Sequence, residues 1–424
     1  MKCVFILILI TLKCLSIKIP ILITPNTTQT DLSVKLSPYL SKIINKLPII
    51  NLCIGNPIQC FSLSIDLTLY YTILQDNDIE HKIFNKNFNK NLSNTFKSNN
   101  NTFNFFFQNF YITTNIVEDE ITLKLNNNDN IQIKNKFPFG LIKTDKKMDK
   151  VLIDGFIGLI RNYTLKKENY NETFNLINYI YKSKFPNSNS KIFSLNYKSD
   201  NNGNIKGGEF SINENEKYNK FCIINETNNL IAKDEKWFCV IKYISINNKQ
   251  LNFTYKIYFH SLSPLIKIPR EAGMFILINM MKKSNNLCKI ISEDNTNNFL
   301  ICPFDFNTKK FDDIEFHFDN INYYVIRPEF LFEKIHFKGK DILIFKIITF
   351  EIEGNDFIIG IPGFIENKII FDKNNKIGFI PLFISRKEEL NILIKNIYII
   401  IIIICILGII NLFYLKLIQN NNYL

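Results

Sequence analysis

"CIGNPIQCFSLSIDLTLYYTIL", residues 53–74, holds two apolar runs on either side of Gly55-Asn56-Pro57, and the second run meets a carboxylate, Asp66. Short β-forming runs bounded by turn residues read as a hairpin. Its register sets Cys53 and Cys60 at about opposite positions, where a cross-strand disulfide can form. Asp66 is the odd residue, because a carboxylate ending an apolar strand is costly to bury unless it is paired or hydrogen-bonded. A second segment poses the same puzzle. In "YFHSLSPLIKIP", residues 258–269, an apolar strand runs into His260, Ser261, Leu262, Ser263 and Pro264 before turning apolar again.

Outward from these two segments, short Ile, Phe, Tyr and Val runs separated by Asn, Asp, Gly or Pro predict an all-β protein. Two helices are expected. One covers 160–183, where Leu165, Tyr170, Phe174, Ile177 and Ile180 recur near helical spacing, and the other covers 270–283. Asn-rich patches at 85–104, 124–130 and 198–206 read as surface loops. The central 350 residues or so exceed what one core usually holds, so two lobes are expected.

The ends are of another kind. "MKCVFILILITLKCLSIKIP" places one early lysine before a short apolar run, the order of a signal peptide, too short to span a bilayer. Ile397–Leu415, "IYIIIIIICILGIINLFYL", is long enough to cross as a helix and is bracketed by Lys395 and Lys416. The expected division is 1–19 signal peptide, 20–47 short leader, 48–195 and 196–385 two lobes, 396–416 transmembrane helix and 417–424 cytoplasmic tail. The main domain would then be luminal or extracellular, in the secretory pathway or at the cell surface.

Under that topology six of nine cysteines remain exported: Cys53, Cys60, Cys222, Cys239, Cys288 and Cys302. An even number in an oxidising compartment predicts up to three disulfides. Closeness in sequence favours neighbours, although six cysteines allow 15 connectivities. Acceptor sequons at Asn26, Asn91, Asn100, Asn162, Asn171, Asn225 and Asn252 fit a glycoprotein. The net charge of +12 is spread among Asn and Ile and forms no blocks, and an exported chain meets no nucleic acid. His81, His317 and His336 lie in separate segments without metal-ligand spacing, the cysteines form no CxxC, and no phosphate-binding glycine loop is present, so no metal or cofactor is expected.

With these residues in view, the chain resembles the pepsin-like aspartic protease family in six blocks taken in order. Residues 53–74 are similar to the family's opening around its first Asp-Thr-Gly. "IDGFIGLI" (153–160) is similar to "DGILGLG", and "KIFSLNYKSDNNGNIKGGEFSI" (191–212) to the segment that follows it. "IYFHSLSPLIKIP" (257–269) stands where the family has "AIVDSGTS.I.LP". "CPFDFNTKKFDDIEFHFDNINYYVIRPEFL" (302–331) and "FIIGIPGFIENKIIFDKNNKIGFIP" (357–381) complete the series. The resemblance implies two β-rich lobes with a cleft between them, each lobe supplying one catalytic loop.

The family's chemistry needs two close carboxylates sharing one proton. By resemblance Asp66 takes the first place, but Leu67, Thr68 and Leu69 replace Thr, Gly and Ser. In the second loop His260 stands for the second Asp. Ser261 keeps the hydroxyl that ties the loops together, Leu262 replaces Gly, and Ser263 keeps the last hydroxyl. Asp154 matches a structural position, Asp312 and Asp313 a loop boundary. The "FNFFFQNFYITTNIVEDEITL" stretch (103–123) lacks the family's Tyr-Gly flap pair, and Tyr111 is displaced from it.

The expectation is a catalytically inactive family member in which Asp66 and His260 form a structural ion pair and the inter-lobe cleft binds a peptide or protein. The alternative is an endopeptidase using Asp66 as base and His260 as acid. A third reading is an inhibitor-like or adhesive protein that binds its partner outside the cleft.

Overall fold

The computed structural model describes residues 16–23, 47–107, 110–125, 130–143, 153–161, 175–188, 190–200, 205–214, 216–224, 236–293, 297–337, 339–350, 356–383, 394–395 and 397–408. The strands of the first half are β1 (Ile17–Ile23), β2 (Pro48–Ile54), β3 (Gln59–Asp66), β4 (Ile73–Gln75), β5 (Lys97–Phe107), β6 (Phe110–Lys124), β7 (Asn130–Ile142) and β8 (Gly155–Gly158). Helix α1 (Leu176–Lys184) leads to β9 (Ile192–Ser199), β10 (Ile205–Ile212) and β11 (Lys220–Ile223). The second half holds β12 (Phe238–Ile246), β13 (Lys249–Phe259), β14 (Ile266–Pro269), helix α2 (Arg270–Lys283), β15 (Lys289–Glu293), β16 (Asn297–Pro303), β17 (Ile314–His317) and β18 (Tyr323–Ile326). It ends with β19 (Phe332–Phe337), β20 (Lys340–Phe345), β21 (Ile347–Phe350), β22 (Phe357–Ile359), β23 (Asn367–Asp372) and β24 (Lys376–Pro381).

These strands form an all-β body of two sheets. In the first, the ring β2-β3-β8-β4-β7-β6 closes through the β2–β6 pairing into a six-stranded barrel. A strand interdigitated on both faces needs apolar side chains on both. The end of β3 is buried on both faces but apolar on only one, with Leu63 and Ile65 on one side and Ser64 and Asp66 on the other. Strands β9, β10, β23 and β24 extend the same sheet beyond β1.

One strand motif occurs twice. In the first half β3 runs parallel to β8, β8 crosses antiparallel to β4, and β4 runs parallel to β7. In the second half β13, β22, β14 and β21 repeat each of these relations. The registers agree residue for residue: Leu63 faces Gly155 and Ile73 faces Phe156, as Ile257 faces Phe357 and Lys267 faces Ile358. By this correspondence the loop after β3 matches the loop after β13, and His260 falls at the place of Asp66. Glycine is needed where each loop crosses its partner strand. A Cβ on Gly158 would lie 2.6 Å from Leu69 O and 2.5 Å from Tyr71 O, and one on Gly360 would lie 2.4 Å from Ser263 O and 2.2 Å from Leu265 O.

Several expectations meet the coordinates directly. Cys53 faces Cys60 across the β2–β3 hairpin, and the three disulfides are Cys53–Cys60, Cys222–Cys239 and Cys288–Cys302, each between sequence neighbours. Helix α2 covers the expected 270–283. Helix α1 is shorter than the 160–183 expectation because Asn175 caps it, its side chain accepting from Ile177 N at 2.9 Å. Leu165, Tyr170 and Phe174 lie outside the described residues. The Asn-rich patch at 85–104 is only partly loop, since β5 begins at Lys97 and pairs with β6. Ladder bonds to a long partner override the weak strand preference of Asn.

The expected boundaries at 19/20 and 195/196 fall within β1 and β9. Residues up to Leu382 form one compact unit and those from Phe383 a second. In the second unit residues 397–408 are helical with Ile397, Tyr398 and Ile399–Ile404 exposed. Among the described residues no helix is long and apolar enough to cross a membrane. The remainder of the expected 396–416 span lies outside the described residues, as do the sequons at Asn26, Asn162, Asn171 and Asn225. Asn91 and Asn252 are exposed.

A charged network locks β1 in place. Lys18 of β1 reaches Glu209 at 3.2 Å and Glu214 at 2.9 Å, and Lys368 of β23 also holds Glu214. Burial alone would push the Glu214 carboxyl up, but hydrogen bonds from Lys368 and Lys18 outweigh it and hold the group below its ordinary value of 4.5. Because this carboxyl titrates lower in the folded chain than in the unfolded one, its stabilisation is whole above pH 4.5 and drains away as pH falls through the folded value. The urea midpoint of the protein is expected to fall as pH drops below 4.5, and Glu214→Gln to flatten that part of the profile. An unchanged profile in the variant would remove Glu214 from the account.

Candidate functional site

Asp66 ends β3 with 6% of its surface exposed, and its own loop satisfies it. Thr68 donates twice to Oδ1, from its backbone N–H at 2.7 Å and from Oγ1 at 2.6 Å. The Asp66 carbonyl accepts from Leu159 N at 2.8 Å, which fastens the strand end to the segment after β8. Neither Thr68 nor Leu262 has positive φ, so neither turn requires glycine there. Thr68 instead supplies a hydroxyl to the carboxylate whose expected donor, at position 69, is Leu. The signal was in the sequence: an acid followed two residues later by a hydroxyl is the pattern of a local side-chain turn.

The second loop is fixed by backbone bonds. His260 N donates to Ile359 O at 2.9 Å, Ser263 N to His260 O at 3.3 Å, and Ile361 N to Ser263 O at 2.7 Å. Ser263, read from the sequence as a support for the residue at 260, uses its hydroxyl on its own loop, donating to Leu265 O at 2.8 Å.

Ser261 brings the loops together. Its buried Oγ donates to Ile65 O at 2.5 Å and accepts from Leu67 N at 3.2 Å, so the backbone on both sides of Asp66 is tied to the residue after His260. In the repeat Leu67 holds the place of Ser261, and with no hydroxyl it packs into the core. The tie is therefore made by one side chain from one loop.

Nearby, Asp154 accepts from Ser62 N at 2.8 Å, a structural role. Within the 103–123 stretch β5 pairs with β6, with Phe106 opposite Tyr111, and the Phe103 ring packs tilted against Tyr71 with ring centroids 4.0 Å apart. Tyr71 lies in the chain that leaves the Asp66 loop, so β5 is anchored next to that loop.

Chemically, a shared acidic proton needs two carboxylates, and one of the two equivalent places holds an imidazole. Because Thr68 supplies both donors to Oδ1, the burial of that oxygen does not depend on His260. Fold and site together define a β protein with a repeated strand motif and two equivalent strand-end loops, one carrying a carboxylate and the other an imidazole. No family model matches the chain, and a search of curated proteins finds no match either.

Proposed function

We propose that this chain is a degenerate member of the pepsin-like aspartic protease class. In this reading it is a membrane-anchored, exported glycoprotein whose bilobal domain binds an extended peptide or protein segment between the lobes without hydrolysing it. The observation that carries the reading is the pair of equivalent loops, Asp66 after β3 and His260 after β13, joined through Ser261. A repeated motif that brings two strand-end loops into contact is the framework of a two-carboxylate site, and here it lacks the second carboxylate. Peptide binding survives such a loss because an extended ligand is gripped by main-chain hydrogen bonds and side-chain pockets, neither of which needs the pair. Three disulfides support an oxidising compartment.

One observation favours the endopeptidase alternative. The double donation by Thr68 holds the Asp66 carboxylate in one orientation, as a base requires. Binding separates the readings. Full-length protein in detergent, titrated with a library of extended decapeptides, is expected to show saturable binding of a subset, displaced by a cleft-filling transition-state analogue, with the peptides recovered intact. Binding that the analogue does not displace would move the partner to an outer surface, and an absence of peptide binding would overturn the proposal.

A further inference from the structure

The strand that delivers His260 has a second site at its other end. β13 begins at Lys249, and at about 3.3 Å per residue its start lies about 35 Å from His260. There the β12–β13 turn, the last turn of α2 and the segment before β17 line a half-open cavity of about 220 Å³. Its apolar floor is Ile246, Met280 and Phe311, and its rim carries Lys249, Lys282 and Lys283. We propose that this cavity binds a phosphate monoester carried on a ring of about monosaccharide size.

Charge is the first argument. Three ammonium groups face the single carboxylate of Asp312, which leaves an excess of positive charge close to the −1.5 to −2 of a phosphate monoester, roughly, at neutral pH. Lysines at a helix end ordinarily hydrogen-bond its last carbonyls. In α2 the carbonyls of Met280, Met281 and Lys282 already have donors. Ser284 N donates to Met280 O at 3.0 Å, Asn286 N to Met281 O at 3.0 Å and Asn285 N to Lys282 O at 3.0 Å, while Ser284 Oγ reaches Met281 O at 2.6 Å. Asn285 and Asn286 adopt positive φ to do this.

Positioning is a further argument. Lys249 Nζ is held by Asn279 Oδ1 at 3.2 Å and Lys283 Nζ by Asp312 Oδ2 at 3.3 Å, so two of the cations are fixed at the rim. Among the described residues no hydrogen bond or ion pair engages the exposed Lys282 ammonium. The volume is below that of a drug-sized pocket, and the apolar floor suits one face of a ring. Both features favour a small ring ester over a bare ion. A free sugar phosphate and the headgroup of an inositol phospholipid share this chemistry.

The test is calorimetric titration of the full-length protein in detergent with glucose 6-phosphate, inorganic phosphate and glucose as probes, beside flotation with vesicles containing phosphatidylinositol 4-phosphate. Saturable binding of glucose 6-phosphate, weaker for inorganic phosphate and absent for glucose, is expected if the ligand is a free ester. Binding of the vesicles alone would assign the headgroup, with the same chemistry. The pair Lys249→Gln/Lys282→Gln should weaken binding by about ten-fold or more, as the loss of charged hydrogen bonds requires. The exposed pair Lys198→Gln/Lys206→Gln should change it by less than about two-fold, since distant surface charges are screened. No saturable binding of any phosphate probe, or equal losses in the two lysine pairs, would overturn the proposal.

Discussion

Gly360→Ala is expected to lower the urea midpoint of the protein more than any other substitution considered. The added Cβ would sit 2.2 Å from Leu265 O and 2.4 Å from Ser263 O, both backbone atoms of the loop that carries His260. Neither oxygen can withdraw cheaply, because Ile361 N already binds Ser263 O at 2.7 Å and the next residue, Ile266, enters β14 between β21 and β22. Relief requires parting the loop from β22, at a cost of about 3 kcal/mol or more against a net stability of about 5–15 kcal/mol. Gly360 has φ of −84°, so crowding alone produces the effect. Gly339 provides the contrast: its φ is +76° with nothing within 4 Å, so Gly339→Ala should cost only about 1–2 kcal/mol of backbone strain. Urea denaturation followed by circular dichroism measures both, and equal midpoints would refute the close crossing of loop and strand.

Ser261→Ala should have the next largest effect. One hydroxyl serves Ile65 O and Leu67 N, and Ser261 is fully buried. Its removal leaves a carbonyl and an N–H without that partner on either side of Asp66, and each unsatisfied buried group costs about 1–3 kcal/mol. A loss of about 2–5 kcal/mol is expected, together with weaker peptide binding, since the two loops are no longer fastened. Ser263→Ala should cost less, because that hydroxyl bonds only within its own loop. Comparable losses in the two variants would contradict the inter-loop role of Ser261.

How much of this was legible depended on how local each signal was. The β2–β3 hairpin, the Cys53–Cys60 register and helix α2 follow from turn residues and periodicity within a dozen positions, and the structure places them as read. β1 was hidden because "IKIPILI" has the apolar character of a leader segment, and only its pairing with β10 and β2 identifies it as a strand. β5 was hidden because its Asn-rich letters disfavour a strand that the partner β6 nonetheless holds. The repeated motif leaves only a faint trace, Gly155–Gly158 against Phe357–Gly360, since equivalence resides in register and not in letters. At the site, position 66 and position 260 were readable as a pair through family resemblance. The donation from Thr68 was legible in the acid-to-hydroxyl spacing of a local turn, whereas the inward use of Ser263 is a matter of which rotamer meets which atom, and spacing carries no such information.

The central claim is that two equivalent loops survive while peptide hydrolysis does not. Cleavage of an unbiased peptide library by the full-length protein, from pH 4 to 8 and beside an Asp66→Ala control, tests it most directly. The account predicts no turnover by either protein, with folding verified by circular dichroism. Turnover by the natural chain that disappears in Asp66→Ala would contradict it and establish Asp66 as a working catalytic base.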